Sequence, residues 1–139
     1  MTVLGIFLKG NNANIVTLSG TKSEHETVSP DFNKLTLEKN PTQEDVRTIT
    51  ASLKDHLQQH GVSEIILNRR VTAGQMAGAA GTFIWEGILL SSCPVPLNFV
   101  HAATLRATEK KFGELKTKKP SEENEPLCKA YDFAFEGLK

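Results

Sequence analysis

The apolar positions of the chain fall into short blocks with two rhythms. Thr2 to Leu8 is near-continuously apolar, the pattern of a strand buried on both faces. Gly10-Asn11-Asn12-Ala13 follows, and Gly and Asn tolerate the left-handed conformations of a tight hairpin. Asn14 to Leu18 alternates, with Ile15 and Thr17 on one face and Val16 and Leu18 on the other, and predicts a second strand antiparallel to the first. Ser19 to Asp31 is polar, holds Gly20, Ser29 and Pro30, and reads as a loop. Phe32 to Leu37 sets Leu35 and Leu37 on one face and supplies a third strand.

After Asn40-Pro41-Thr42 the period changes. Thr42 with Asp45 three residues later, and Glu44 beside it, opens a helix that runs to about His60. Val46, Ile49, Leu53 and Leu57 form its apolar stripe, and Gly61 stands where a left-handed cap belongs. His56 and His60, four apart, have metal-ligand spacing, but no third ligand accompanies them and both read as solvated. Ile65 to Leu67 is a fourth strand that stops at Asn68-Arg69-Arg70. From Gly74 to Leu90 a helix carries Gly74, Ala77, Gly78 and Gly81 on one side. Glycine costs a helix roughly 1 kcal/mol against alanine, so such a face implies close approach to another backbone. Cys93-Pro94-Val95-Pro96 is a rigid connector into a fifth strand, Leu97 to Val100, ending at His101. Ala103 to Phe112 and Leu127 to Leu138 read as helices, the last with Leu127, Tyr131, Ala134 and Leu138 on one stripe.

Composition narrows the function classes. At 139 residues, 39% hydrophobic and 23% charged, the chain suits one soluble domain. Sixteen basic residues balance sixteen acidic ones, so steering toward nucleic acid or an anionic membrane is left to local patches. The one long basic segment is Arg106 to Lys119, with six basic residues against Glu109 and Glu114. Cys93 and Cys128 form no zinc pattern and suit a reducing compartment. No signal peptide is legible, and no apolar run approaches the ~20 residues of a membrane span. A cytoplasmic protein with no membrane partner is expected.

The order β-β-β-α-β-α-β-α, with Gly5-Ile6-Phe7-Leu8-Lys9 in the first strand, Ile66-Leu67-Asn68 at the end of the fourth, Gly78-Ala79-Ala80-Gly81, Pro94-Val95-Pro96 and Tyr131-Asp132-Phe133-Ala134, resembles the ribonuclease H-like fold in its RuvC-like, Holliday-junction resolvase branch. The chain is also similar to a small uncharacterised bacterial family of about this length. The resemblance implies a single α/β domain over 1–139: a five-stranded mixed sheet, three antiparallel strands then two parallel, with helices on both faces. It also implies an active site where carboxylates from the first strand, the fourth strand and the last helix hold two magnesium ions. Here Phe7 stands in the first of those places, Asn68 in the second, and only Asp132 keeps an acid. Magnesium requires hard oxygen ligands, so no metal, no cofactor and no metal-dependent nuclease activity are expected.

Each remaining candidate has two readings. Lys9, Asn68, Arg69, Arg70 and Asp132 gather into a site for an anion or nucleic acid, or the two arginines are surface charges answering Asp132 or Glu86. The segment 106–119 tracks a nucleic-acid backbone, or is a solvated, mobile loop. His101 is an acid-base residue or a hydrogen-bonded structural one. Trp85 is core or anchors a subunit contact. The function expected is a catalytically degenerate RuvC-like domain binding nucleic acid or another phosphate-bearing ligand; the alternative is a homodimeric interaction module.

Overall fold

The computed structural model describes residues 1–68 and 80–139. The sheet is built from β1 (Thr2–Lys9), β2 (Asn12–Gly20), β3 (His25–Val28), β4 (Lys34–Thr36), β5 (Glu64–Asn68) and β6 (Leu97–Val100). Helices α1 (Gln43–His60), α2 (Ala80–Ser92), α3 (Ala102–Phe112) and α4 (Glu125–Gly137) complete it. Across the sheet the order is β3-β2-β1-β5-β6, with β4 also paired to β2. The first three positions are antiparallel; β5 and β6 add in parallel through α1 and α2. No described helix is long and apolar enough to cross a membrane.

The five expected strand positions are present, but the edge one is split. Of the strand expected from Phe32 to Leu37 only β4 forms, paired with Asn12–Asn14, while β3 corrects the expectation of a loop from Ser19 to Asp31 and pairs with Thr17–Gly20, end to end with β4 along β2. Between them Ser29 takes a left-handed conformation (φ 47°) and the chain turns, Phe32 N–H donating to Ser29 O at 2.9 Å. Pro30, which has no N–H to offer a ladder, lies in this turn.

The caps of α1 are as the sequence reads. Thr42 and Asp45 exchange both capping-box bonds, and Gly61 is left-handed at the other end. One face of the sheet, with Leu4, Ile6, Leu8, Ile15, Ile65 and Leu67, packs against Leu53 and Leu57 of α1 and Trp85, Ile88 and Leu89 of α2. Trp85 is core, fully buried, with its indole N–H on Asn11 O at 2.9 Å. Gly81 supplies the close approach that the small-residue face implied: a Cβ there would stand 2.7 Å from Gly10 O and 2.9 Å from Asn11 Cα. Gly74, Ala77 and Gly78 lie outside the described residues.

The other face is covered by α4. Val3, Val16, Leu18 and Ile66 meet Ala130, Tyr131, Phe133, Ala134 and Phe135. Gly5 in β1 lets the helix lie on the strand, because a Cβ would fall 2.1 Å from Ala130 O and 2.5 Å from Ala134 N. Tyr131, fully buried, hydrogen-bonds His25 Nε2 at 2.7 Å, and burial pushes the phenol up to about 12.

His56 corrects the expectation of a solvated residue: it is buried, hydrogen-bonded to Thr17 Oγ1 at 2.9 Å and stacked on Phe32 at 4.1 Å. It sits three residues after Leu53, on the flank of the stripe that faces the sheet. Burial, aided by His60, lowers its pKa from 6.5 to about 4.

Two outcomes follow. Gly5→Ala meets backbone atoms rather than a movable side chain, so it should destabilise by about 3 kcal/mol or more, read as a lower urea midpoint at unchanged slope. Below pH 6.5 the unfolded chain protonates His56 and the folded one does not, so stability falls with pH, by up to about 3 kcal/mol from this group on reaching pH 4. The loss of stability between pH 6.5 and 4.5 should be shallower in His56→Gln than in the parent; equal slopes would remove His56 from the acid response.

Candidate functional site

Three parallel strands end at one edge, where open α/β sheets place their ligands. Ile6 pairs with Leu67, so the next residues, Phe7 near the end of β1 and Asn68 at the end of β5, stand as neighbours; Asn68 in turn pairs with Val100 of β6. Asn68 Oδ1 accepts Leu8 N–H at 3.5 Å, which leaves its amide N–H groups as what it offers outward. α4 crosses this edge because Gly5 admits it, and it brings Lys129, Asp132 and Phe133 to the strand ends. α3 starts straight after β6 and supplies the far wall. Together Phe7, Asn68, Val100, His101, Leu105, Arg106, Lys129, Asp132 and Phe133 line a cleft of about 700 Å³.

Its floor is apolar. Phe7 is half-buried, its ring 6.2 Å from that of Phe133, and Lys129 Nζ lies 4.9 Å from the Phe7 centroid. The charge of its wall is set by what happens to Asp132. After α3 the chain makes a 3₁₀ turn, Gly113–Leu115, and swings Lys116 inward until its side chain is 4% exposed. Lys116 Nζ donates to Asp132 Oδ1 at 2.8 Å and to Glu109 Oε2 at 2.5 Å, while Lys119 Nζ stands 3.2 Å from Asp132 Oδ1. Burial alone would lower the Lys116 pKa, but the hydrogen bonds to Asp132 and Glu109 outweigh it and hold the ammonium above its usual value. The same bond holds Glu109 below the usual carboxylate range. Lys116 and Glu109 are therefore both charged at neutral pH, and the Asp132 carboxylate is paired from behind.

Arg106 and Lys129 remain on the cleft's wall, and Asp132 is the only acid that lines it among the described residues. Lys129 Nζ also lies 3.3 Å from Glu125 Oε1, outside the lining; with Asp132 paired by two ammonium groups, Arg106 leaves the cleft net positive. It does not suit magnesium. Phe7 has no oxygen, Asn68 offers an amide whose oxygen already takes a backbone N–H, and the one carboxylate is held by two ammonium groups.

The structure thus brings Asn68 and Asp132 together and puts Lys9 elsewhere. Lys9 is exposed and lines a second cleft of about 450 Å³ with Asn12, Asn14, Asn33, Lys34 and Asn124. Arg69 and Arg70 lie outside the described residues. The basic segment is not the free loop one reading allowed: Arg106 faces the cleft, Lys116 and Lys119 turn back onto Asp132, and Lys118 reaches Glu26 at 3.5 Å. His101, read as an acid-base residue or a hydrogen-bonded structural one, is exposed on the cleft's edge, its backbone carbonyl accepting Thr104 N–H at 3.0 Å. Lys129 was not among the expected site residues; Arg106 was expected only as part of the basic segment, and Phe7 only as the residue in place of an acid. Phe7 had the clearest signal, since it stands where the resemblance places a metal-holding acid.

Two solved structures share the fold over nearly the whole chain. Thermus thermophilus RuvC superposes with a TM-score of 0.75 at 15% identity, covering 98% of this chain and 92% of that one. RuvC of the same organism in complex with a Holliday junction substrate gives 0.73 at 14% identity, covering 98% and 91%. The fold is thus ribonuclease H-like, of the RuvC type. No curated protein sequence matches the chain. Residues 1–137 match the family described as "Protein of unknown function (DUF3010)", and the chain belongs to that family.

Proposed function

We propose that this protein is a cytoplasmic RuvC-like domain that has exchanged metal-dependent phosphate chemistry for binding a phosphate-bearing ligand, nucleic acid first among them. One observation carries the reading. At the edge where parallel strands present their ends, the one lining carboxylate among the described residues is paired with Lys116 and Lys119, and Arg106 and Lys129 line the cleft. Guanidinium and ammonium groups on a net-positive cleft favour phosphate. The RuvC neighbour was solved with a Holliday junction substrate, which makes branched DNA a natural first probe.

Binding to single-stranded, duplex and branched DNA and RNA should weaken steeply with salt. Arg106→Ala and Lys129→Ala should each weaken it at every sequence and lower the salt slope by about 1. Salt-insensitive or undetectable binding to all of these would sink the proposal. So would tight Mg²⁺ or Mn²⁺ binding that supports cleavage and disappears in Asp132→Asn.

A second reading, the homodimeric interaction module, has one feature in its favour. The outer side of α2 shows Phe83 at 42% and Leu90 at 64% exposure, with Gly87 open between them. Light scattering at high concentration should then report a dimer that Leu90→Glu dissociates; a strict monomer removes this reading.

A further inference from the structure

Resting on the anion-binding reading above, we propose that the cleft takes a nucleotide unit: an unpaired base against Phe7, with its phosphate between Arg106 and Lys129. A phosphate alone leaves most of this cleft unused. Its volume, about 700 Å³, lies in the range of roughly 300–1,000 Å³ typical of small-molecule sites. Much of its wall is hydrocarbon from Phe7, Val100, Leu105 and Phe133. A ligand that fills it must be charged at one end and flat and apolar at the other.

Phe7 is suited to the flat end. Phe133, almost fully buried, packs against its ring at 6.2 Å and fixes it from the core side. Lys129 Nζ lies over the ring at 4.9 Å, so Phe7 carries a cation–π contact on the cleft. Lys129 is exposed and its long stem lets the ammonium move aside. A base that takes its place over the ring displaces it toward the phosphate, where Arg106 of α3 waits on the other wall. Asn68, at the end of β5, turns its amide N–H groups toward acceptors on the base edge. Bases inside a duplex are stacked on one another, so the ligand is a single strand or a free nucleotide.

The intact protein is titrated calorimetrically at low salt with inorganic phosphate, ribose 5-phosphate, the four nucleoside monophosphates and an oligothymidylate. The nucleotides should bind about ten-fold or more tighter than phosphate and ribose 5-phosphate, as a stacked base warrants. Phe7→Leu, which keeps the apolar volume, should abolish that difference, and Arg106→Ala, at an exposed position, should weaken every anion. An oligothymidylate that outbinds the mononucleotide identifies a strand as the source; equal affinity identifies a free nucleotide. If phosphate, ribose 5-phosphate and nucleotides bind alike, the base inference is overturned and the anion site stands. If none binds to the folded protein, both fall together.

Discussion

Everything at the candidate site depends on how closely α4 lies on β1. The separation is set by Gly5, whose missing Cβ leaves room for Ala130 O and Ala134 N. A helix held further from the sheet would still cover the apolar face. It would not drive Phe133 against Phe7 or set Asp132 beside the ends of β1 and β5. Because Tyr131, Ala134 and Phe135 are fully buried in that same contact, the helix has no freedom to rotate. Packing on one face of the sheet thereby fixes the position of a carboxylate at its edge.

That carboxylate is then answered by the chain itself. In a metal site the cation arrives from solution and brings its charge with it. Here the cation is Lys116, covalently attached, buried to 4% exposure and shared between Asp132 and Glu109. Removing one partner from such a pair leaves an uncompensated buried charge. The pair therefore holds the 3₁₀ turn against α4 and closes the back of the cleft with the same contact. Lys22 makes a related use of charge at the far end of α4, donating to the carbonyls of Glu136 and Leu138, where the helix dipole is negative.

What was legible in the sequence was whatever has a period or a local signature. The hairpin, the capping box at Thr42, Gly61 and the stripes of α1 and α4 are all short-range, and the structure reproduces them. β3 was not legible because an edge strand with Glu26 and Thr27 exposed has no apolar face to show. The convergence of Asn68 with Asp132 came from the resemblance to the RuvC-like fold, in which the ends of the first and fourth strands and the last helix meet; the described cleft holds both residues. The partner of Asp132 did not. Lys116 is one of six basic residues in a run, and nothing local tells which of them turns inward; its partner is sixteen residues away, across a proline-bearing loop. Lys9 was assigned to the site because it follows Phe7 in β1, but two further residues along a strand advance it by nearly 7 Å, enough to reach the next cleft.

Phe7 and Asn68 at the strand ends do not by themselves make a binding site; such an edge can equally be plain surface. The particular residues matter. Had Phe7 and Asn68 been Lys or Ser, the edge would be polar and open, with nothing to exclude water from a weak anion contact. A half-buried phenyl ring packed on Phe133 does the opposite: it keeps a concave apolar floor beneath Arg106 and Lys129. Charge at the rim over hydrocarbon at the base strengthens the field on a bound anion, because the low-dielectric wall screens it less than water would. Exposed hydrocarbon in such a cleft is also costly when empty, at roughly 25 cal/mol per Å² of apolar surface. Both terms favour an occupant with an anionic head and an apolar body over a bare ion.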